Sequence, residues 1–316
     1  MFVFDYNRVF RKRLTKLSLP FVTIGVCTKN SQTTVRRTLE SIAKLDYPTN
    51  LFEVIAVDGL SADSTLAIIQ EFARRVNLRI RILSDNGHGL GHARQLVVNE
   101  AYGNYIAFVD ADQYLHPLSL KKITQDLLGH PDVAAVRGAQ GLTARTLSFS
   151  IPASLENYIK HVEDIEASRV VKAAEDFAMG GSIVRKMAIT QVGGFDSSFA
   201  FVAEDTDLVI RLTKAGWRIL NSTTSIFFHQ SRQSWSTLYE QYRDWGRGFA
   251  FVTGKYKGLF ERLGSLDLLT SFLTSSIFSI RYIFKTYKVT KDLFCILMPF
   301  HYMYKRAAWA VGYMGE

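Results

Sequence analysis

The chain contains little cysteine and no apolar stretch long enough to cross a membrane. Its two cysteines, Cys27 and Cys295, lie far apart and match neither a disulfide nor a metal-ligand pattern, which favours a reducing, intracellular setting. The apolar runs 268–280 and 293–304 are shorter than the roughly 20 residues that a transmembrane helix needs. They therefore predict interfacial or buried helices rather than membrane spans.

Targeting, repeat and nucleic-acid signals are also missing. The first residues are basic but include no apolar core followed by a small-residue cleavage site, so the sequence predicts no secretory signal. There is no internal repeat, low-complexity stretch or base-reading motif, and nucleic acid is therefore not an expected partner. We expect a cytoplasmic protein.

The positive charge of the chain is concentrated at its two ends. The formal net charge of the 316 residues is +9, of which residues 1–20 and 281–316 carry +4 each and the 260 residues between them carry +1. Basic residues on an amphipathic background suit an anionic membrane surface. The sequence predicts peripheral attachment to the cytosolic face of a membrane through a basic amphipathic segment at 1–20 and a helical, amphipathic region at 231–316. Packing of these C-terminal helices on the protein body or on a second copy of the chain is the alternative.

Strand and helix patterns alternate from residue 21 to residue 115. Apolar, β-branched stretches predict strands at 21–28, 52–58, 78–84 and 105–110, and helical spacing predicts helices at 34–45, about 63–76 and about 91–102. Such a series is typical of a mostly parallel α/β sheet with helices on both faces. Ligands bind beyond the carboxyl ends of such strands, where Thr28, Asp58 and Asp110 lie.

Asp110 and Asp112 follow the fourth predicted strand, one residue apart. Two carboxylates so close together repel each other and are costly to desolvate unless a positive group compensates them. Mg²⁺ is usually held by one or two carboxylates together with substrate phosphate oxygens. The pair indicates a divalent cation and a phosphate-bearing substrate, and two solvated loop acids are the alternative.

Motifs in chain order resemble those of the family 2 glycosyltransferases with the GT-A fold. The segment VIAVDGLSADST is similar to the family's Val-Asp-Asp-Gly-Ser-Thr-Asp-Gly-Thr, and VTIGVCTKN keeps the Thr and Asn of the opening strand. The segments GLGHARQLVVNEAYGNYIAFVDAD and VGGFDSSFAFVAEDTDLVIRLTKAGWRI complete the set. The resemblance covers about 21–230. It implies a Rossmann-like GT-A domain with a nucleotide-sugar half at 21–115 and an acceptor half at 116–230.

The chain departs from the family pattern at three positions in these motifs. Gly59 replaces the second acid of the Asp-Asp pair, so that Asp58 alone remains to accept a hydrogen bond from the nucleotide base. Cys27 replaces a proline, and Gln95 stands where Asn is usual. None of these changes removes the implied metal site or the implied base.

The resemblance implies a role for each matching residue. The nucleotide-binding residues are Thr28, Asn30, Asp58, Arg94, Asp110 and Ala111. The ligands of Mn²⁺ or Mg²⁺ are Asp110, Asp112 and His229, the catalytic base is Asp205, and the residues around the sugar and acceptor are Gly180, Gly181, Glu204 and Trp245.

Four of these roles have plain structural alternatives, and those of Asp58 and Arg94 are a helix-capping aspartate and a surface arginine. Asp205 stands with Glu204 and Asp207 at the start of a predicted helix, where acids also suit the helix dipole, and one aspartate can serve both purposes. His229 follows a strand-like stretch and could instead be a core histidine without a metal.

The resemblance implies a metal-dependent, inverting enzyme that transfers one sugar from a nucleoside-diphosphate sugar. Asp244 stands where processive relatives have the Arg of Gln-x-x-Arg-Trp, which favours single-sugar transfer. With membrane attachment, the expected acceptor is a lipid-linked hydroxyl or phosphate. A haloacid-dehalogenase-type phosphotransferase using Asp110 and Asp112 is disfavoured because Tyr114 stands where Thr or Val is expected. An inactive, membrane-attached binding module is disfavoured by the intact acids.

Overall fold

The computed structural model describes residues 18–142, 150–199, 202–259 and 265–315. Most of the basic segment expected at 1–20 therefore lies outside the described residues. The chain forms two compact units. Among the described residues, the sheet unit comprises 18–141 and 167–229, and the helical unit comprises 142–166 and 230–315.

The sheet unit contains a mixed, mostly parallel sheet, as the strand and helix pattern predicted. Its described strands are β1 (Val22–Thr28), β2 (Phe52–Asp58), β3 (Ile80–Ser84), β4 (Tyr105–Phe108), β5 (Gln113–Leu115), β6 (Val133–Gln140), β7 (Ser182–Arg185) and β8 (Arg218–His229). They lie in the order β3-β2-β1-β4-β7-β6-β8-β5. Neighbours among β3, β2, β1 and β4 are parallel, whereas β7 is antiparallel to both β4 and β6, and β5 is antiparallel to β8.

Helices connect the strands and form most of the helical unit. In chain order they are α1 (Val35–Ala43), α2 (Thr65–Arg75), α3 (Leu90–Glu100), α4 (Ser119–Leu128), α5 (Ile151–Glu166), α6 (Lys186–Gln191), α7 (Glu204–Lys214), α8 (Trp235–Lys255), α9 (Ser265–Thr290) and α10 (Met298–Met314). Helices α5, α8, α9 and α10 belong to the helical unit.

The sheet is buried on both faces. Every residue of β2 is buried, and successive residues point to opposite sides: Val54 joins the cluster of Val22 and Ile24, whereas Ile55 joins that of Phe108 and other residues. A parallel strand covered on both faces is expected to be continuously apolar. This arrangement leaves the strand ends, rather than the sheet faces, as the place for polar chemistry.

The helical unit has a core of its own. Leu155, Tyr158 and Ile159 of α5 pack with Cys295 and Met298. The unit therefore groups 142–166 with the C-terminal residues, whereas the sequence placed this stretch in the acceptor half. Helix α5 of this stretch begins at Ile151 and ends at Glu166.

The two C-terminal apolar runs lie in α9 and in a 3-10 turn (Leu293–Leu297) followed by α10. Within the part of the chain that the structure describes, we find no helix whose length and apolarity would let it cross a membrane.

Candidate active site

Asp58 anchors a network of loops at the carboxyl ends of β1 and β2. Its Oδ1 accepts hydrogen bonds from Ser61 Oγ at 2.6 Å and Thr28 Oγ1 at 3.3 Å, and its Oδ2 accepts from Ser61 N at 3.0 Å. Asn30 belongs to the same network because its N donates to Ser61 Oγ and its Oδ1 accepts from Ala62 N, both at 2.9 Å. Three predicted nucleotide-binding residues, Thr28, Asn30 and Asp58, are thus brought together.

Asp85 is a buried carboxylate of this edge that the sequence did not single out. Its backbone N donates to Asp58 O at 3.2 Å. Its two carboxylate oxygens accept from Gly87 N at 2.7 Å and Gly89 N at 3.1 Å. Asp85 therefore shapes the loop that leads into α3, and its place directly after a predicted strand was the available signal.

Arg94 links two predicted site residues that are distant in sequence. It lies buried in α3, where its Nη1 donates to Glu204 Oε1 and its Nη2 donates to Asp110 Oδ1 at 3.1 Å. Guanidinium groups suit such paired recognition because their donors are fixed in a plane. The geometry therefore gives Arg94 a direct role in placing Asp110.

Gly180 lies so close to Asp110 that a side chain at position 180 would displace the Asp110 carboxylate. A Cβ at position 180 would overlap Asp110 Oδ2. The Asp110 backbone N donates to Gln113 Oε1 at 3.2 Å, and Gly181 N donates to Phe108 O at 2.9 Å. The structure thus brings Gly180 and Gly181 together with the Asp110 loop.

Asp112 and His229 are brought together by the pairing of β5 with β8. Gln113 of β5 lies opposite His229 at the end of β8. His229 Nε2 lies 3.3 Å from Asp112 Oδ1. Asp110, the third predicted metal ligand, is instead paired with Arg94. In the described residues no group of three or more His, Cys, Asp and Glu side chains is arranged to hold a metal on its own.

Asp205 lies in the first turn of α7, half-buried. Its Oδ2 accepts from Met179 N at 3.2 Å and its Oδ1 accepts from Thr206 N at 2.8 Å. The preceding residue, Ala203, has a left-handed backbone with φ of 71°, a conformation that is uncommon outside glycine and that clusters at functional sites. These contacts fix the direction of the carboxylate, and each oxygen retains a further lone pair.

Negative charge exceeds positive charge in this cluster. Desolvation raises the pKa of Asp110, an effect that Arg94 opposes and Asp112 adds to. Desolvation also raises the pKa of Glu204 to about 8, again against the influence of Arg94 and with that of Asp205. Although burial opposes it, Glu204 and Asp110 raise the pKa of Arg94, which stays charged. One guanidinium therefore serves several carboxylates, and the site as a whole favours an additional cation.

Two predicted residues have other surroundings. Ala111 O accepts a hydrogen bond from Thr38 Oγ1 at 2.9 Å, which ties the Asp110–Asp112 loop to α1. Trp245 lies in α8 of the helical unit, where its ring packs edge-on against Tyr242 with centroids 4.6 Å apart. Its predicted role beside the acceptor stays a prediction.

Comparison with known proteins gives matches along most of the chain. Residues 105–314 match the family described as Glycosyl transferase family group 2, and residues 23–173 match Glycosyl transferase family 2.

Two curated relatives match at moderate identity. Poly(ribitol-phosphate) beta-N-acetylglucosaminyltransferase TarS of Staphylococcus aureus is 38% identical over 126 residues, which are 40% of this chain and 22% of TarS. Beta-monoglucosyldiacylglycerol synthase of Trichormus variabilis is 24% identical over 257 residues, which are 77% of this chain and 54% of the synthase. The chain thus spans less than two thirds of the length of either relative.

A solved structure shares the architecture. Mannosyltransferase PcManGT from Pyrobaculum calidifontis, in complex with GDP-Man and Mn²⁺, superposes with a TM-score of 0.65 at 17% identity, covering 98% of this chain and 92% of that chain. This likeness confirms the predicted GT-A fold, a mostly parallel α/β sheet flanked by helices.

Proposed function

The chain belongs to the family 2 glycosyltransferases, and on that premise we propose that it transfers one sugar, with inversion, from a nucleoside-diphosphate sugar to a hydroxyl or phosphate group carried on a lipid. The observation that carries the proposal is the cluster at the carboxyl edge of the sheet, where Arg94 joins Asp110 to Glu204 and Asp112 is paired with His229. A glycosyltransferase needs a site that binds the diphosphate, holds a cation and supplies a base.

Asp205 is the general base in this proposal. The acceptor oxygen attacks the anomeric carbon as its proton passes to Asp205, and the bond between that carbon and the diphosphate oxygen breaks, so that the nucleoside diphosphate leaves with the electron pair. Hydrogen bonds from Met179 N and Thr206 N hold the carboxylate in one direction. A base must be within hydrogen-bond reach of the proton that it removes, and this fixed orientation supports the role.

Asp112 and His229 are the residues that would hold a divalent cation, Mn²⁺ or Mg²⁺. A carboxylate and an imidazole supply two ligands, and the nearby carboxylates of Asp112 and Asp205, which help to raise the pKa values of Asp110 and Glu204, favour a cation here. Substrate phosphate oxygens usually complete the shell of such ions. The cation would neutralise charge on the departing diphosphate. PcManGT, which has the same fold, was solved with GDP-Man and Mn²⁺.

A lipid-borne acceptor is supported by an exposed apolar surface of the helical unit. We call this surface the apolar strip; it consists of Ile277, Ile280, Phe284, Tyr287, Leu293, Phe294 and Ile296. Leu293, Phe284 and Ile296 are exposed over 76, 72 and 71% of their surface. Ile277, Ile280, Phe284 and Tyr287 recur at the spacing of one face of α9, and exposed apolar residues grouped in this way mark interaction sites.

The charge around the apolar strip supports an anionic membrane as its partner. The basic residues Arg281, Lys288 and Lys291 are exposed along the same stretch. The sequence between Arg281 and Gly315 contains one acid, Asp292, which accepts hydrogen bonds from Tyr158 Oη and Phe294 N. Apolar side chains enter the headgroup boundary, and each basic residue near the anionic cytosolic surface adds about 1 kcal/mol. One relative, beta-monoglucosyldiacylglycerol synthase, is named for a glycolipid product.

The enzymatic proposal is tested by screening UDP- and GDP-sugars for thermal stabilisation with Mn²⁺, followed by transfer assays with lipid-phosphate and glycolipid acceptors. We expect one donor to stabilise the protein, EDTA to abolish transfer, and Mn²⁺ or Mg²⁺ to restore it. Asp112→Asn should remain folded and lose activity. Full activity of Asp112→Asn in the presence of chelator would refute the metal assignment, and release of free sugar without acceptor would indicate a hydrolase.

Membrane attachment is tested with the full chain by co-sedimentation with anionic and zwitterionic vesicles. The variant Phe284→Ser/Ile296→Ser should lose binding to anionic vesicles, and added salt should weaken binding by the wild type. Met187→Ser, which alters a residue of the sheet unit that is 66% exposed, is the matched control. Failure of the wild type to bind vesicles, together with a dimer that the double variant disrupts, would assign the apolar strip to a second copy of the chain.

A further inference from the structure

The backbone at the carboxyl ends of β1, β2 and β3 is left-handed at three residues that are not glycine. Asn30, Leu60 and Asn86 have φ angles of 49, 54 and 52°. Asparagine is enriched in this conformation, whereas leucine is an outlier because its Cβ crowds the neighbouring carbonyl. Such strain persists only where the surroundings impose it, and it clusters at ligand sites. The left-handed backbone conformation of Leu60 therefore requires an explanation.

The loop that contains Leu60 is fixed on both sides. Before it, Gly59 N donates to Thr28 O at 2.8 Å. After it, Ser61 donates twice to Asp58, and Ala62 N donates to Asn30 Oδ1. The conformation of Leu60 is thus imposed by the same contacts that hold Asp58 in place.

The side chain of Leu60 is held at the surface rather than in the core. It is 59% exposed, and a Cβ added at Gly87 would come within 3.2 Å of its Cδ1. The position of Gly87 is fixed in turn by the buried carboxylate of Asp85. An apolar side chain therefore lies beside a bare glycine, between two loops that carry buried aspartates.

At positions 59 and 60 the sequence differs from the family pattern in both residue types. Where the family pattern has an acid followed by glycine, this chain has Gly59 followed by Leu60. A Cβ at position 59 would lie only 3.2 Å from Thr28 O and 3.4 Å from Lys29 Cβ, so a side chain there is crowded. The carboxylate has been lost, and an apolar group has been added on the next residue in the backbone conformation that glycine adopts freely.

We propose that Leu60 is a specificity-determining residue that packs on the face of the donor's nucleobase, beside the single carboxylate of Asp58. The inference rests on the proposed function, because the crevice must accept a nucleoside diphosphate. Recognition of the base then combines apolar contact with one hydrogen-bond acceptor. Desolvation of a planar aromatic ring against an aliphatic side chain is favourable in proportion to the buried area.

The test is calorimetric titration of the full-length protein with UDP, GDP and inorganic pyrophosphate in the presence of Mn²⁺. Leu60→Gly should weaken binding of the preferred nucleoside diphosphate by about tenfold, since a buried leucine contact is worth that order of affinity. Binding of pyrophosphate, which has no base, should not change. Leu60→Met, which keeps the apolar area, should bind the nucleotide with nearly wild-type affinity.

Thermal unfolding separates this role from a structural one. Leu60→Gly should melt at or above the wild-type temperature, because glycine adopts a positive φ without strain. Leu259→Gly is the matched control: Leu259 is 53% exposed and belongs to the helical unit, so this change should leave nucleotide binding unaltered.

Two outcomes would overturn the inference while leaving the proposed function intact. They are wild-type affinity of Leu60→Gly for the nucleotide, and equal weakening of nucleotide and pyrophosphate binding. Failure of the wild-type protein to bind any nucleoside diphosphate would overturn the proposed function and this inference with it.

Discussion

The helical unit and the sheet unit each bury a cluster of charged side chains, and the two clusters are built differently. In the helical unit, Glu156 Oε1 accepts from Tyr242 Oη at 2.7 Å, and its Oε2 accepts from His301 Nε2 at 2.9 Å and Lys305 Nζ at 2.7 Å. Both oxygens of this single acid are bonded, and its charge is balanced by a lysine. We call this group the Glu156 cluster.

In the sheet unit, by contrast, one cation is bonded to two carboxylates. Arg94 is bonded to Glu204 and Asp110, with Asp205 and Asp112 nearby, and Glu204 Oε2 has no hydrogen-bond partner in the described residues. We call this group the Arg94 cluster. A buried carboxylate whose two oxygens are both bonded helps to rigidify a core, whereas a buried carboxylate with an unbonded oxygen and a raised pKa is typical of a site that receives a ligand. The comparison predicts that changes in the Glu156 cluster affect stability and that changes in the Arg94 cluster affect activity.

The largest expected effect is on the stability of the helical unit. Glu156→Gln leaves Lys305 buried without its anion, which should cost about 3–5 kcal/mol in free energy of unfolding. Tyr242→Phe removes one hydrogen bond to the same carboxylate and should cost about 1 kcal/mol. Urea unfolding followed by tryptophan fluorescence measures both. Equal urea midpoints for Glu156→Gln and the wild type would contradict the structural role of the Glu156 cluster.

The next effect is on catalysis. Asp205→Asn should lower turnover by roughly a hundredfold or more while donor affinity stays nearly unchanged, because a general base acts in the transition state. An acceptor that is already an anionic phosphate needs no proton removal, and the loss should then be smaller. Asp176→Asn, an exposed aspartate of the same unit, is the control. Unchanged turnover of Asp205→Asn with a hydroxyl acceptor would contradict the assignment.

A smaller effect is expected from the glycine beside Asp110. Gly180→Ala places a Cβ where Asp110 Oδ2 lies, so that Asp110 must move. Displacement of a group that supports a metal or phosphate site typically costs 10- to 100-fold, and we expect about a tenfold rise in the KM for the donor. Gly254→Ala is matched, because a Cβ there meets no atom within 4 Å. Identical kinetics for both variants would show that the position of Asp110 does not matter.

The smallest effect concerns pH. Burial lowers the pKa of His301 from its ordinary 6.5, and its Nδ1 has no hydrogen-bond partner in the described residues, so that a proton there would lack an acceptor. Although burial opposes it, Lys305 and His301 hold the pKa of Glu156 well below 4.5. As pH falls through 6.5, the unfolded chain binds a proton at His301 before the folded chain does, and stability is lost.

Melting temperatures between about pH 7.5 and pH 5.5 check this dependence, because histidine titrates in that range. His301→Gln, whose amide can still donate to Glu156, should show a shallower fall than the wild type. The contribution of Glu156 is present above 4.5 and is lost only as pH falls further, towards its folded pKa. An equal dependence of melting temperature on pH in His301→Gln and the wild type would show that His301 does not cause the loss of stability.

Much of the nucleotide half could be predicted from the sequence. β2 has the predicted bounds, because a strand covered on both faces must be apolar throughout. β4 ends at Phe108, two residues before the predicted end, which places Asp110 in a loop. The sequence also pointed to Thr28, Asn30 and Asp58, which stand near strand ends and are joined in one network.

The sequence could not predict the partners of these residues. Glu204 and Arg94 are separated by 110 positions, and the pairing of Asp112 with His229 depends on the antiparallel match of β5 with β8. The membership of α5 in the helical unit was missed for the same reason, since Glu156 meets His301 and Lys305 from the far end of the chain. Local periodicity carries no information about such distant contacts.

By itself, the sequence determined the order of strands and helices, the family and the acids that its motifs share, because these depend on local apolar spacing and on residues adjacent in the chain. Only the tertiary structure decided which carboxylates remain short of positive partners and which are balanced. Asp110, Glu204 and Glu156 are equivalent acids in a sequence, and their chemistry differs because burial and distant cations set the free energy of their charged forms.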